Sequence, residues 1–320
     1  MSGFVFARTS KCARFCRRSG RGVGDKVNGK NANVVGVDIG GTKIAAGVVS
    51  FPEGKLRNRK IIPTVAHRTG DEVMADAERL INQVIADGGL RVDGIGLGVC
   101  EIVSRTGELA SECCLRWGNL PVKERLSRIA PTVIEADVRA AALAEARFGA
   151  GCYSEIFLYV TIGTGISSCL MIDGAPFRGA RGATGTMASG IMPGGNLSLE
   201  QIASGPALVE RFRDLGGTAE SGQEVLAAAV AGNSTAIEVV RSAGEAVGAT
   251  IGWMINILDP ELVILGGGLG LSEGSYRDSL LRGVRRHTWW EGHREIPIVS
   301  AGTGRDAGII GAAIAALPFS

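Results

Sequence analysis

The sequence predicts an α/β protein built from two related halves. Three observations carry this reading. Short apolar runs ending in glycine turns occur in both halves, at residues 34–37 and 157–162, each followed at once by a second apolar run. Segments with apolar residues every three or four positions lie between such runs, the pattern of helices covering a sheet. The chain has 320 residues, 45% hydrophobic and 21% charged, enough for two globular domains and too apolar for a disordered protein.

The first element is the run Val34, Val35, Gly36, Val37, which reads as a buried strand leading through Asp38 into Gly40 and Gly41. With the apolar run 44–49 behind it, this is a hairpin whose tight turn needs the positive φ that glycine adopts cheaply. The turn would gather the Gly40, Gly41 and Thr42 N–H groups, the Thr42 hydroxyl and the Lys43 ammonium beside Asp38. Donors for phosphate oxygens next to a hard carboxylate oxygen suit a triphosphate with its metal; a plain hairpin is the alternative. No GxxxxGK pattern followed by Ser or Thr occurs in the chain.

Helical spacing follows over 71–86, with one apolar face through Val73, Met74, Ala77, Leu80, Ile81 and Val84. Residues 94–99 (GIGLGV) are a short buried strand that runs into Cys100 and Glu101. Trp117, in the segment 108–126, reads as a packed core residue rather than a stacking platform for a sugar. A strand over 132–135 and an alanine-rich helix over 138–148 meet at Asp137, a position suited to helix capping or to catalysis.

The second half opens with FLYVTIGTGISSCLMIDG at 157–174, strand, Gly-Thr-Gly turn, strand, a partial echo of the opening hairpin. Helical periodicity resumes at Leu199 after a glycine-rich passage. Ile237, Val240, Ala243, Val247, Ile251, Met254 and Leu258 step by three or four along one long helix, which Asp259 and Pro260 end. A buried strand over 261–265 enters Gly266, Gly267 and Gly268. A helix around 276–286, a strand around 296–300 and a closing helix at 307–316 complete the chain.

Composition excludes several classes. Before Val34 there are eight basic residues and one acid, a net of +7, which leaves −5 for the remainder. That mildly acidic body has no stripe for a nucleic-acid backbone. The basic head has no apolar period and reads as a disordered extension or an upstream misassigned start, a transit peptide being the alternative. No apolar run approaches 18 residues, so no membrane span is expected. Seven cysteines, an odd number without paired spacing, fit free thiols in a reducing cytoplasm.

The sequence DIGGTK after an apolar strand resembles the first phosphate motif of actin-like sugar kinases, in the form used by the ROK family. LDPE, an apolar strand and GGG at 258–268 resemble that family's adenosine-side motif, and the resemblance runs from Val34 to Ala316. It implies a two-lobed actin-like (ribonuclease H-like) ATPase fold with an interlobe cleft. The lobes would be 34–147, completed by the closing helix 305–318, and 148–304, behind a head at 1–33. It also implies ATP and Mg²⁺ as cofactors. Gly40, Gly41, Thr42 and Lys43 would hold the outer phosphates, with Asp38 on Mg²⁺ directly or through water. Gly163, Thr164 and Gly165 would take the other side, and Gly266, Gly267 and Gly268 the nucleotide. Asp137 matches the aspartate of the family's Glu-Asn-Asp motif, the general base.

The departures bear on the acceptor. Glu135-Ala136-Asp137, whose Glu135 the resemblance implies as an acceptor contact, lacks that motif's asparagine. Thr186 and Ser189 stand where the family's sugar-gripping Glu and His would be, and Cys100-Glu101 where a Pro-Gly is usual. Pro193 to Asn196 replace the cysteine-rich motif, so no zinc site is expected, while Glu200 matches the next sugar-contacting glutamate. Replaced polar contacts imply a changed acceptor, an amino sugar such as kanosamine or a C7 cyclitol, rather than glucose. Glucose itself, or a non-catalytic sugar sensor, remains the alternative. The family's repressors carry a helix-turn-helix that the head is too short to supply. The resemblance leaves a homodimer open.

Overall fold

The computed structural model describes residues 31–65 and 68–317. The basic head up to residue 30, with Cys12 and Cys16, lies outside the described residues. Strands β1 (Ala32–Ile39), β2 (Lys43–Phe51), β3 (Lys55–Pro63), β4 (Gly94–Val99) and β5 (Thr132–Ala136) form one sheet in the order β3-β2-β1-β4-β5. Strands β6 (Ile156–Ile162), β7 (Ile166–Ile172), β8 (Ala175–Pro176), β9 (Leu262–Gly266) and β10 (Ile298–Ser300) form a second, in the order β8-β7-β6-β9-β10. In each sheet an antiparallel meander is extended by two parallel strands. The two glycine-turn hairpins seen in the sequence are thus the same place in two copies of one topology.

The helices stand in layers on these sheets. Helix α1 (Gly70–Gly88) starts at a capping box in which Thr69 and Glu72 satisfy each other's backbone N–H groups. With α2 (Val122–Ser127) it covers the outer face of the first sheet, where Val37, Leu97, Leu80 and the buried Trp117 share one core. Burying each such aliphatic side chain contributes about 1.5–3 kcal/mol. Between the sheets lie α3 (Asp137–Phe148) and the closing helix α11 (Ala307–Ala315), whose apolar residues pack with Val34 and Val49 of one sheet and Phe157 and Ile264 of the other.

The outer face of the second sheet carries α4 (Leu199–Ala203), α5 (Gly205–Asp214), α6 (Gly222–Val230), α7 (Ser234–Leu258) and α9 (Ser275–His287). Short turns α8 (Gly267–Gly270) and α10 (Glu291–Arg294) complete it. No helix among the described residues is long and apolar enough to cross a membrane.

The closing helix lies almost in contact with the strands beneath it. A Cβ at Gly36 would come within 1.9 Å of the Ile309 carbonyl oxygen, and one at Gly96 within 1.7 Å of that of Ala312. Only glycine lets backbone approach backbone this closely.

Four expectations need correction. β1 begins at Ala32, inside the segment expected to be unstructured. β3 was not foreseen, because KLRNRKIIP has no buried face; its residues alternate between exposed and half-buried, as suits a charged edge strand. Ile237 is 41% exposed, since Ala236, Val239 and Val240 make the buried face at that end of α7. Gly40 and Gly41 are not among the positive-φ glycines: the turn spans Gly40 to Lys43, closed by the Gly40 N–H donating to the Lys43 carbonyl at 2.9 Å.

Candidate active site

Strand register assembles the site. β1, β4 and β5 run parallel, with Ile39, Val99 and Ala136 side by side. The residues that follow, Gly40, Cys100 and Asp137, therefore stand in one row at the carboxyl ends of the strands, where α/β sheets collect their ligands. The Cys100 N–H donates to the Ile39 carbonyl at 3.3 Å, tying two of them together. In the second sheet Thr161 pairs with Gly266, which brings Gly163 and Gly268 to the matching edge.

A cavity of about 840 Å³ opens between these edges. Thr42 lines it from the first lobe; Gly163, Thr164, Gly205, Gln223 and Gly268 line it from the second. The second glycine turn is held by the Gly163 N–H donating to the Gly165 carbonyl at 2.9 Å, and by the Gly205 N–H donating to the Gly163 carbonyl at 2.8 Å. Gln223 donates to the Gly268 carbonyl at 3.4 Å. Gly205 and Gln223 were not foreseen, because they lie on helix ends that only tertiary packing brings to the glycine turns.

The three expected glycine clusters differ in what glycine does. At Gly41 no protein atom lies within 4 Å of where a Cβ would sit, so the protein's own packing does not demand a glycine there. Gly268 is similarly open, its nearest neighbour being Gln223 at 3.8 Å. At Gly266 a Cβ would meet the Tyr159 hydroxyl at 2.1 Å, and Gly267 has φ +79° with its Cβ position 2.4 Å from the Ile162 carbonyl oxygen. Of that triplet only Gly268 faces the cavity; the other two glycines serve packing and backbone conformation. A Cβ at Gly165 would stand 2.9 Å from a Glu200 carboxylate oxygen.

Two carboxylates stand at the strand ends of the first sheet. Asp38, next to last in β1, is half-buried, with a carboxylate oxygen 2.7 Å from where a Gly308 Cβ would be. Burial raises its pKa and the Lys43 ammonium pulls the other way. Asp137 is the first residue of α3, and its Oδ1 accepts the Val138 N–H at 2.6 Å. Burial first, then the Asp38 charge, push its carboxyl up to about 7, against the Val138 hydrogen bond. A carboxyl that titrates near neutrality can take up and release protons under working conditions.

The expected acceptor residues divide. Glu200 sits on α4, its Oε2 accepting the Ile166 N–H at 2.8 Å, so it braces the second glycine turn. Thr186 and Ser189 are exposed on the loop between β8 and α4, which the Ser168 N–H anchors to β7 through the Gly185 carbonyl at 3.1 Å. Glu135 does not match the role of a substrate contact: it is 1% exposed and its carboxylate is held by Arg139 at 2.5 Å and by Arg178. Arg139 in turn donates to the carbonyls of Val103 and Gly182 at 2.7 and 2.8 Å, locking the loops of both lobes to α3. The second residue after β4, Glu101, is the organising group that sequence reasoning missed; its carboxylate gathers the loop 111–115 against Cys100.

The ROK family pattern matches residues 34–318. The chain is 31% identical over 303 residues to the bifunctional enzyme NanE/NanK of Brucella melitensis, covering 90% of this chain but only 54% of that protein, so it spans about half of that relative's length. It is 31% identical over 315 residues to a glucokinase of Streptomyces coelicolor, covering 87% of this chain and 96% of that one. The structure superposes on a ROK family glucokinase of Streptomyces griseus, solved with glucose and AMPPNP, at a TM-score of 0.77 and 27% identity, over 89% of this chain and 99% of that one. The chain belongs to the ROK family, with the two-lobed actin-like α/β fold of that family's sugar kinases.

Proposed function

We propose that the protein is an ATP-dependent carbohydrate kinase that uses Asp137 as the general base toward a hydroxyl of its acceptor. The observation that carries this is the row of strand ends: a phosphate-type turn at Gly40 and a carboxyl poised near neutrality at Asp137 stand at one edge, and Thr42 of that turn lines a cavity shared with the glycine turns of the second lobe. Phosphoryl transfer asks chiefly for positioning and charge stabilisation. Thr42, Gly163 and Thr164 line the side of the cavity where phosphates would lie, and Lys43 adds a cation. Gly205, Gln223 and Gly268 offer backbone and amide groups to the nucleoside.

Magnesium fits the donor set, because Asp38 presents a hard carboxylate oxygen at the phosphate turn; it would hold the ion directly or through water. When bound, the ion neutralises charge on the transferring phosphate. Asp137 takes the proton of the attacking hydroxyl, with Val138 holding its other oxygen in place. Glu135 acts at one remove, fixing α3 and hence Asp137 through Arg139.

The acceptor proposed is an amino sugar such as kanosamine or a C7 cyclitol. Thr186 and Ser189 support this, since they stand where the family's motif has longer polar side chains. Glucose is the second reading, favoured by the glucokinases among the relatives. Coupled ADP release with Mg-ATP against glucose, mannose, N-acetylglucosamine, glucosamine, kanosamine and a C7 cyclitol decides between them. Turnover on glucose alone would sink the amino-sugar reading. Nucleotide binding without turnover on any acceptor would favour a sensor.

A homodimer is also proposed. Trp253 and Ile257 on α7 and Trp289 and Trp290 beyond α9 are 60%, 75%, 83% and 56% exposed. Asn256 ties the two segments into one apolar surface by accepting the Trp289 N–H at 2.9 Å.

A further inference from the structure

Two thiols that the kinase chemistry does not use stand at its acceptor edge. Cys100 follows β4 in the row with Gly40 and Asp137, where the resembling kinases have Pro-Gly. Cys114 comes from the loop between β4 and α2. Glu101 is what joins them. Its buried carboxylate accepts the Ser111 hydroxyl at 2.6 Å and the N–H groups of Cys113, Cys114 and Leu115 at 2.7, 2.9 and 2.9 Å. The loop is thereby strapped to the residue beside Cys100. The two sulfurs lie within 4.8 Å of each other and of the Glu101 carboxylate.

The pair is accessible and chemically unequal. Cys114 is exposed and Cys100 half-buried. The interaction between the two side chains lowers the Cys114 pKa and raises that of Cys100. Burial and the charges of Glu101, Asp137 and Glu200 act on Cys114 in the opposite direction. A thiophilic metal is the other use of such a cluster, but four donors already fill the lone pairs of Glu101, and metal binding would have to release the loop.

We infer that Cys100 and Cys114 form an oxidation site that a hydroperoxide closes to a disulfide, shutting the acceptor side of the cleft. The Cys114 thiolate attacks a peroxide oxygen; the O–O bond breaks, giving a sulfenic acid, and the departing hydroxide or alkoxide takes up the proton that the Cys114 thiol released, leaving as water or alcohol. The Cys100 sulfur then attacks the sulfenic sulfur; the S–O bond breaks and the oxygen leaves as water, taking up the thiol proton. Two thiols lose two electrons and one hydroperoxide gains them. Closure draws the sulfurs to about 2.05 Å and pins the loop 111–115 beside Asp137. The nucleotide side, at Gly268 and Gln223 in the other lobe, is untouched.

The chemistry stands apart from the kinase reading, whereas its effect on turnover rests on it. The full chain is reduced, exposed to graded hydrogen peroxide, blocked with iodoacetamide and peptide-mapped. The expected result is a Cys100–Cys114 cross-linked peptide that dithiothreitol reverses, that C113S retains and that C114S and C100S each abolish. AMPPNP binding stays unchanged on oxidation, while turnover on any active acceptor falls at least about tenfold and returns on reduction. A cross-link through Cys113, Cys114 stopping at the sulfinic acid with Cys100 intact, or zinc protecting both thiols from peroxide would overturn it. A cross-link in a protein that turns over no acceptor would leave this site standing and sink the kinase reading.

Discussion

The Asp38 carboxylate acts on Asp137 across the row of strand ends, second only to burial in holding a proton on Asp137 up to about 7. A base that must be ionised to work then gives an acid limb: kcat/KM for Mg-ATP, which reports the free enzyme, should fall tenfold per pH unit below about 7. Neutralising Asp38 removes the repulsion, so Asp38→Asn, or cation binding there, should move the limb to lower pH. A limb that stays in place in D38N would show that Asp38 does not set it.

The same carboxyl makes a stability prediction of definite sign. Between pH 3.8 and about 7 folded Asp137 keeps a proton that the unfolded chain has released, so its contribution to stability declines as pH rises through that window. Asp137→Asn removes this loss. At pH 8 it should raise stability by roughly 1–4 kcal/mol and at pH 4 change it little, while cutting turnover about 10²- to 10⁴-fold. Chemical denaturation at the two pH values, with single-turnover assays, tests both halves; lower stability at pH 8 would contradict the burial argument.

Neighbouring glycines should separate packing from binding. Gly266→Ala drives a methyl into the Tyr159 hydroxyl and should cost about 1–3 kcal/mol. Gly268→Ala meets nothing closer than Gln223 at 3.8 Å and should leave the melting temperature nearly unchanged while weakening AMPPNP binding. Equal loss of stability in both would mean that Gly268 is also a packing glycine.

If α7 and the segment after α9 pair with a second copy, breaking that surface should give monomers. Trp289→Ser with Trp253→Ser should shift the sedimentation coefficient of a dimer to that of a monomer without changing the melt of the isolated chain by more than about 1 kcal/mol. A single species at monomer mass in the unmodified protein would remove the homodimer.

Glu145 is fully buried on α3, where it accepts the N–H groups of Ala150, Gly302 and Thr303 at 2.8, 2.9 and 2.8 Å, and the Thr303 hydroxyl. It joins the exit of one sheet to the start of the closing helix. Glu145→Gln offers one acceptor oxygen in place of two and should cost about 2–4 kcal/mol by leaving buried donors unpaired. Urea denaturation reads it directly; a change under 1 kcal/mol would mean the loop finds other partners.

Elements whose residues carry their own signal were legible: Gly94–Val99, the long helix from Ser234 and both hairpins follow from apolar runs, periodicity and glycine. Asp137 could be placed because a strand and a helix meet at it. What escaped depends on partners distant in sequence. Glu101 looks like any surface acid until its loop folds over it, and Glu135 looks like a cleft residue until Arg139 and Arg178 close on it. Gly266 and Gly268 read alike in the sequence, yet one faces Tyr159 and the other the cavity.

The closing helix sets an order of events during synthesis. Gly36 and Gly96 leave one face of the first sheet shaped for backbone that the ribosome adds only at residues 307–315. Until then Val34 and Val49 lack Ile309 and Ile314, which belong to their core. The amino-terminal half therefore waits, with apolar strand surface uncovered, through the making of the whole second half, and a chain stalled short of residue 307 should be a substrate for chaperones rather than a folded lobe.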